Sequence, residues 1–260
     1  CEGCKSPIKV YRTKVIGGSR KGKTVELTHG CKCEDIELAR EALENKERLD
    51  RKRVLEHFDY YSLISKRLKE ATLDNYIPQN KSQQIAKESV KKYIEIFDID
   101  NPINLLFIGG YGVGKSHLAK AIADGVMKKT NPKTGRKYTA IFISVPKLLR
   151  KIRSTYNKKS EISEEEIFEV LENVDLLILD DLGAEKQTDW SDERLFDIID
   201  SRQGMHTIYT SNYNEEGLFE ILGERNFSRI VNEDTKIIEI QGKNYRLLDI
   251  QKGWINNGVT

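Results

Sequence analysis

A glycine-rich stretch near the middle of the chain, GGYGVGKSH, has the residue types and the spacing needed to hold a phosphate. It fits the pattern G-x-x-x-x-G-K-[ST], in which glycine lets the backbone turn tightly and bring its N–H groups against phosphate oxygens. Lys115 would reach the β- and γ-phosphates of a nucleotide, and the Ser116 hydroxyl would ligate Mg²⁺. The predicted nucleotide-binding residues of this loop are Gly109, Gly110, Tyr111, Gly112, Val113, Gly114, Lys115, Ser116 and His117.

Two carboxylates further along the chain supply the other half of this chemistry. Asp180 and Asp181 end the apolar run VDLLILDD, which is typical of a strand buried in a parallel sheet. In phosphate-loop enzymes a carboxylate at such a strand end holds Mg²⁺, directly or through water. We predict that Asp180 shares the metal with Ser116 and that Asp181 polarises the attacking water. Asn212, at the end of the next predicted strand, would orient that water near the γ-phosphate.

Three arginines near the end of the chain are candidates for stabilising transition-state charge. Arg225 and Arg229 lie in the segment GERNFSRI, and Arg246 lies in GKNYR. An arginine that one subunit inserts into its neighbour's site would couple hydrolysis to assembly. Arg246 would instead reach the γ-phosphate of its own subunit.

The elements that must position these residues follow from the apolar pattern. Ile103–Ile108 is an apolar run of strand length directly before the phosphate loop. After the loop, apolar residues recur at helical spacing, among them Leu118, Ile122 and Val126. Strands then alternate with helices as far as a last strand, TKIIEI. This alternation predicts an α/β fold with a mainly parallel sheet sandwiched by helices.

The cysteines are confined to the beginning of the chain, in CEGC and HGCKC. Two close pairs separated by a basic, glycine-containing stretch resemble a zinc ribbon, whose thiolates complete a tetrahedral Zn²⁺ site. Because the second pair is C-x-C rather than C-x-x-C, disulfides and idle thiols stay as alternatives, and His29 would be able to replace one thiolate. The predicted Zn²⁺ ligands are Cys1, Cys4, Cys31 and Cys33.

The 260 residues and a net charge of +2 allow one large domain and a small one. We predict a zinc-binding domain over residues 1–33, a densely charged helical linker over 34–66 and the α/β domain over 67–260. No apolar run approaches the roughly 18 residues of a membrane span, so we expect no membrane contact. Because the sequence starts at Cys1 without Met, an upstream targeting signal stays open.

A basic helix is predicted in VPKLLRKIRSTY, with its leucines facing inward. A stripe of cations would follow the phosphates of single-stranded DNA, and Tyr156 would stack a base. The same charges would also suit a solvated helix face. The candidate DNA-binding residues are Lys147, Arg150, Lys151 and Arg153, followed in the chain by Lys158 and Lys159.

Taken in order, these motifs resemble those of AAA+ ATPases of the replicative-helicase loader family (DnaC/DnaI type), which is related to the IstB transposition helpers. GGYGVGKSHLAKAIA resembles the Walker A motif, LLILDDLGAEK Walker B, YTSN sensor 1, GERNFSRI the arginine-finger box and NYR sensor 2. ATLDNYIP resembles the segment near the adenine, which makes Tyr76 a candidate nucleotide contact. The resemblance covers roughly residues 71–247.

This resemblance implies ATP and Mg²⁺ as ligands and Arg229 as the likelier finger, with Arg225 second. It also implies a P-loop AAA+ fold with a reduced or absent lid, because few residues follow Asn212. The partners it implies are a hexameric replicative helicase gripped by the zinc domain, single-stranded DNA, and further copies of the chain in a ring or spiral. The expected location is the cytoplasm.

One departure from the AAA+ pattern keeps other functions open. Many AAA+ proteins have Glu after the metal-binding Asp, whereas this chain has Asp181, whose shorter side chain would slow hydrolysis. One alternative is therefore a nucleotide-gated adaptor that binds the helicase with little turnover. Another is a transposition helper ATPase, although that group does not usually carry a zinc domain.

Overall fold

The computed structural model describes residues 4–33, 36–42, 49, 66–157 and 160–247 of the chain. The chain divides into two compact units, Cys1–Arg53 and Val54–Thr260. The division falls inside the predicted linker over 34–66, most of which lies outside the described residues. Cys1, Lys158 and Lys159 also lie outside them.

The first unit contains an antiparallel hairpin of β1 (Lys9–Lys14) and β2 (Thr24–His29). Arg12 lies opposite Glu26 in the register, and the two side chains form an ion pair at 2.6 Å. Both partners are exposed, so this pair contributes little to stability. The hairpin matters more for position, because pairing of Lys9 with His29 brings the two ends of the ribbon together.

The second unit contains the predicted alternation of strands and helices. Its helices are α1 (Lys66–Lys69), α2 (Lys81–Ile96), α3 (Lys115–Lys128), α4 (Val145–Thr155), α5 (Glu164–Asn173), α6 (Asp189–Ser201) and α7 (Glu215–Ile230). Its strands are β3 (Asn104–Ile108), β4 (Ala140–Ser144), β5 (Leu176–Leu182), β6 (Thr207–Ser211) and β7 (Thr235–Glu239).

These strands form one parallel sheet in the order β4-β5-β6-β3-β7, which confirms the predicted α/β fold. Side chains alternate across it: Leu106 faces the core under α4 to α7, and Phe107 faces the core under α2 and α3. Helices therefore cover both faces, as a sheet of continuous apolar strands requires. No helix among the described residues has the length and apolar character to cross a bilayer.

Capping hydrogen bonds determine where two of the helices begin. A capping box of Ser163 and Glu166 is present at the start of α5. Helix α6 begins at Asp189 because Thr188 caps it and Ser191 supplies the reciprocal hydroxyl. A serine or threonine pair can thus serve as a capping box without Glu or Gln.

Candidate nucleotide-binding site and cysteine cluster

A cavity of about 560 Å³ opens where the carboxyl ends of the parallel strands meet. Its volume lies within the roughly 300–1,000 Å³ of small-molecule sites. Most of the nucleotide-site residues predicted from sequence line it, although they come from distant parts of the chain. They are Tyr76, Tyr111, Gly112, Gly114, Lys115, Ser116, His117, Asp180, Asp181, Asn212 and Arg246.

The phosphate loop between β3 and α3 needs its glycines for shape and for space. Gly109, Gly112 and Gly114 have positive φ angles, which side chains rarely adopt. A β carbon on Gly114 would lie 2.5 Å from a ring carbon of Tyr76. A β carbon on Gly112 would lie 1.9 Å from the side chain of Asn244. Two other segments of the chain, which contain Tyr76 and Asn244, therefore contact the loop directly.

Tyr76 belongs to the first of these segments and supports the loop. Its hydroxyl donates to the carbonyl oxygen of Val113 at 3.4 Å, and its ring packs edge-on against His117. Burial raises the pKa of the Tyr76 hydroxyl, so it remains a neutral donor. The adjacent Ile77 is exposed and lines the cavity, where it offers an apolar surface to a nucleotide base.

Lys115 lies at the start of α3 and folds back over the loop. Its ammonium donates to the carbonyl oxygens of Gly109 and Gly110, each at 2.7 Å, and to Asn212 Oδ1 at 2.8 Å. Burial lowers the pKa of Lys115 to about 8, although Asp181 and Asp180 pull it upward. These hydrogen bonds of the ammonium join the phosphate loop to the end of β6.

Asp180 is buried at the end of β5, where its carboxylate fits a metal together with Ser116. Thr210 donates from its hydroxyl to Asp180 Oδ1 at 2.7 Å, and a hydrogen bond with Ser116 also favours the carboxylate. Burial, with help from the charge of Asp181, nevertheless raises the pKa of Asp180 to about 6. An unneutralised carboxylate in this position favours a cation, and Mg²⁺ prefers such oxygen ligands.

The orientation of the second carboxylate, that of Asp181, results from a bulge in β5. The pairing of β5 with β6 shifts register between Leu179 and Leu182, and Asp181 has a φ of 58°. Thr210 Oγ1 accepts a hydrogen bond from the Asp181 backbone N–H at 3.0 Å. This bulge turns both successive acids toward the cavity, whereas regular strand geometry would direct them to opposite faces. The Asn212 amide lies 3.5 Å from Asp181 Oδ1.

The second segment on the loop comprises residues 240–247 and is called the strap below. The Tyr245 backbone N–H donates to the Gly112 carbonyl oxygen at 3.0 Å, and its hydroxyl donates to the Ile77 carbonyl oxygen. Gln241 accepts from the Asn80 amide at 2.9 Å through its own carbonyl oxygen. The strap thereby connects the loop to the start of α2 and brings Arg246 to the cavity. Sequence reasoning identified Arg246 but missed the strap.

Arg225 and Arg229 do not line the cavity of their own chain. Both lie in α7 after a break in helical geometry at Gly223, and both guanidinium groups lie over the ring of Phe196, at 3.4 Å and 4.5 Å. Arg229 also pairs with Asp200 at 2.5 Å and is half-buried, whereas Arg225 is exposed. The arginine-finger role of Arg225 and Arg229 therefore stays a prediction.

The predicted DNA-binding cations of α4 separate into two groups. Lys147 lines the nucleotide cavity. Arg150 is exposed, while Lys151 and Arg153 lie further along the helix. The Arg153 guanidinium lies 4.3 Å from the ring centroid of Trp190, a residue that sequence reasoning missed.

The half-buried Trp190 belongs to an aromatic group at the far end of α4. Its indole N–H donates to the Tyr156 hydroxyl at 3.1 Å, and the two rings pack edge-on. The Tyr156 hydroxyl donates to Glu164 at 3.2 Å, and its side chain is 53% exposed. Together with Arg153, these rings form a cationic aromatic surface. Because Trp190 lies 34 residues from Tyr156 in the sequence, the basic helix alone does not reveal this surface.

Cys4, Cys31 and Cys33 form a cluster in the first unit, with all three sulfurs within 4.8 Å of one another. The Cys4 and Cys31 sulfurs are 3.3 Å apart. Hydrogen bonds from Ser6 and the neighbouring thiols lower the pKa of Cys4 to about 6. Contacts with the Cys31 and Cys4 thiols raise the pKa of Cys33, so the fit to Zn²⁺ rests on the spacing of the three sulfurs. The predicted Cys1 and the His29 side chain lie outside the described residues, so the fourth ligand stays a prediction.

Comparisons with known proteins agree with the nucleotide-site geometry. The family described as IstB-like ATP binding protein matches residues 34–252. The replicative helicase loader DnaC of Escherichia coli (strain K12) is 28% identical over 185 residues, 67% of this chain and 72% of DnaC. A crystal structure of the DnaC helicase loader matches with a TM-score of 0.58 and 28% identity, covering 68% of this chain and 100% of that one. A crystal structure of DnaI shares the fold, with a TM-score of 0.56 and 24% identity over 70% and 94% of the two chains.

Proposed function

This chain belongs to the family of IstB-like ATP-binding proteins, and we propose that it is an ATP-dependent loader of a hexameric replicative helicase. It is homologous to replicative helicase loaders of the DnaC type. The observation that carries the proposal is the meeting of Lys115, Asp180, Asp181 and Asn212 around one cavity, in a chain with that relationship. Helicase delivery to single-stranded DNA at the start of replication would take place in the bacterial cytoplasm.

Nucleotide binding would begin with a rearrangement of Lys115. Its ammonium would exchange the carbonyl oxygens of Gly109 and Gly110 for phosphate oxygens. The backbone N–H groups of the loop would donate to the same phosphates. Asp180 and Ser116 would hold Mg²⁺, which neutralises phosphate charge when bound. Asp181 and Asn212 would orient the attacking water, since catalysis of phosphoryl transfer depends mainly on positioning and charge.

Hydrolysis would be slow in an isolated chain and faster in an assembly. Arg229 and Arg225 lie outside the cavity of their own subunit, so a ring or spiral would supply the missing cation from a neighbour. An arginine supplied in this way raises turnover by about 10³–10⁵ in other phosphate-loop enzymes. We expect Arg229→Ala to preserve ATP binding and to remove the stimulation of hydrolysis by assembly. Normal stimulated turnover in that variant would transfer the role to Arg225.

Single-stranded DNA would lie along the far end of α4. The surface of Arg153, Tyr156 and Trp190 combines a cation with one exposed and one half-buried ring, and cations with aromatic rings are the composition that stacks bases and tracks phosphates. Lys151→Glu combined with Arg153→Glu should weaken DNA affinity by more than tenfold and spare ATP affinity, because charge reversal repels phosphates. Unchanged binding of a fluorescent oligonucleotide at low salt would contradict this assignment.

The cysteine cluster would hold a structural Zn²⁺ in the unit that grips the helicase. Because structural zinc supplies folding energy to small domains, chelation should unfold the first unit and leave the ATPase unit folded. Circular dichroism and zinc release, measured with a colorimetric chelator, would follow the two events. If the purified chain releases no zinc, the proposed zinc site is wrong.

Complex formation with a hexameric replicative helicase is the decisive experiment. Size-exclusion chromatography with light scattering would compare the full chain, Lys115→Ala and a chain without residues 1–66, each with and without ATP. We expect a stable complex only when the first 66 residues are present, with a stoichiometry that depends on ATP for the full chain but not for Lys115→Ala. Absence of a complex under every nucleotide condition would contradict the loader function.

A second candidate is a transposition helper ATPase, which the IstB-like description of the family favours. It predicts binding to duplex DNA and a transposase instead of a helicase. A third, a helicase adaptor with little turnover, is favoured by Asp181 in place of Glu. Phosphate release measured with helicase and single-stranded DNA both present would separate this adaptor from a loader that turns over.

A further inference from the structure

Lys147 was predicted from sequence to belong to the DNA-binding stripe, but the fold carries it to the nucleotide cavity. Ser144, the last residue of β4, pairs directly with Asp180 in the parallel register. Helix α4 begins at the next residue, so Lys147 lies in its first turn, beside the two acids at the end of β5. This position follows from strand register, and a count of basic residues along the helix does not reveal it.

The charges around the cavity suggest what Lys147 does there. Its walls contain three cationic side chains, Lys115, Lys147 and Arg246, and two carboxylates, Asp180 and Asp181. Burial and the charge of Arg150 lower the pKa of Lys147, while Asp180 and Asp181 favour its charged form. The pairing of Ser144 with Asp180 and the shared cavity place this ammonium beside the two acids, on the side where a γ-phosphate and its metal would lie.

We propose that Lys147 binds the γ-phosphate and thereby makes the cavity discriminate ATP from ADP. The proposal rests on the ATP-binding function proposed above and adds to it a specificity-determining residue supplied by α4. Lys115 reaches both the β- and γ-phosphates in phosphate-loop proteins, so it favours both nucleotides. A cation that reaches only the terminal phosphate favours ATP alone, since discrimination requires a contact that ADP lacks.

The location of Lys147 also gives ATP a direct connection to the proposed DNA surface. Helix α4 spans Val145–Thr155, about 16 Å at 1.5 Å per residue. Lys147 lies at one end of it, and Arg153 lies over Trp190 near the other. A γ-phosphate that draws Lys147 inward would act on the same rigid element that carries Arg153. ATP would therefore change DNA affinity more than ADP does.

Binding of a nonhydrolysable ATP analogue, AMPPNP, and of ADP, each with Mg²⁺, to the full-length chain tests the proposal. Isothermal titration would give both dissociation constants for the wild type, Lys147→Gln, Lys147→Arg and Lys91→Gln. Lys91 is a matched control because it is an exposed lysine on α2, outside the cavity. Oligonucleotide affinity without nucleotide would be measured for the same proteins.

We expect Lys147→Gln to lower the preference for AMPPNP over ADP by about tenfold, the loss of one charge-assisted hydrogen bond. Lys147→Arg should keep most of the preference, because it keeps the charge, and Lys91→Gln should keep all of it. An unchanged preference in Lys147→Gln, or an equal loss of affinity for both nucleotides, would overturn the proposal. So would a loss confined to nucleotide-free DNA affinity, which would return Lys147 to the DNA stripe.

The proposal and the ATP-binding function can fail separately. Wild-type protein that binds neither nucleotide would overturn both. Wild-type protein that binds both nucleotides, with a preference that Lys147→Gln leaves intact, would overturn only the role of Lys147.

Discussion

Buried charged groups lie at both edges of the parallel sheet, but their surroundings differ. At the amino edge, Arg202 is 1% exposed and donates to the carbonyl oxygens of Leu171, Glu172, Val174 and His206. At the carboxyl edge, Asp180 is similarly buried, yet its pKa is raised to about 6 because burial and Asp181 outweigh its hydrogen bonds.

The two edges therefore use buried charge for opposite purposes. The amino-edge groups have protein partners that offset their burial and fix the strand ends, whereas the hydrogen bonds of Asp180 at the carboxyl edge do not offset its burial. Asp175 makes the contrast direct, since it is also a buried acid of the β5 segment. Burial raises its pKa, but hydrogen bonds from Arg136 and Thr139 more than offset this and leave the pKa below its usual value.

The largest expected effect is at Arg202. Arg202→Met would remove the guanidinium donor from the carbonyl oxygens of Leu171, Glu172 and Val174, and one of two donors from the His206 carbonyl oxygen, which also accepts the Leu177 N–H. We expect the free energy of unfolding to fall by about 3–5 kcal/mol, as for other broken buried networks. Urea titration would measure it, with Arg202→Lys as the control that retains part of the donors. A loss below about 1 kcal/mol would show that these carbonyls find other partners, and the comparison between edges would then fail.

The second-largest expected effect is at the carboxyl edge, where removal of the Asp180 charge should raise the free energy of unfolding. Because the folded state raises the pKa of Asp180 to about 6 from 3.8, its charge costs stability above pH 6, and that cost vanishes as the pH falls below 3.8. Asp180→Asn should therefore raise the free energy of unfolding at pH 7.5 by up to about 3 kcal/mol while removing ATP hydrolysis.

Asp175→Asn is the matched substitution at the amino edge. It should lower the free energy of unfolding, by about 1–3 kcal/mol, because it breaks the pair with Arg136. Both variants would be compared by urea titration without nucleotide. Destabilisation of both by similar amounts would contradict the distinction between a compensated and an uncompensated acid.

The smallest effect concerns pH and His206. Nδ1 accepts the Ile103 N–H at 3.2 Å and Nε2 donates to the Asp98 carbonyl oxygen at 2.9 Å, so the ring is satisfied as a neutral tautomer. Burial lowers its pKa in the folded state. As the pH falls through about 6.5, His206 is protonated in the unfolded state but stays neutral in the folded state.

Stability should therefore decline by up to about 1.4 kcal/mol per pH unit below that point, on account of His206 alone. Chemical denaturation of the wild type and His206→Gln at pH 7.5, 6.5 and 5.5 would isolate this contribution as the difference between the two slopes. Parallel slopes would mean that His206 is protonated in the folded protein.

The parts of the site that could be predicted were those encoded by local pattern. The phosphate loop, the strand ending in Asp180 and Asp181, and the alternation that places Asn212 nearby all follow from spacing within short segments. The structure brings these residues to one cavity because parallel strands bring their carboxyl ends to one edge whatever the intervening lengths. The fold class could be predicted for the same reason.

The features that were missed depend on register and on distant pairing. Lys147 lines the cavity because Ser144 pairs with Asp180, and a pattern of alternating strands does not reveal the register between them. The bulge that turns Asp181 inward and the contact of Asn244 with Gly112 involve residues far apart in the chain. Trp190 joins Arg153 for the same reason.

The strap has a consequence for synthesis on the ribosome. The Gly112 carbonyl oxygen and the Tyr245 N–H, which the strap joins, are separated by 133 residues, so the phosphate loop is translated well before the strap. At about 5–20 residues per second, this interval lasts on the order of ten seconds. During it the nascent chain carries its phosphate loop with Tyr76 but without the strap, and ATP gains its full binding site only when the strap emerges.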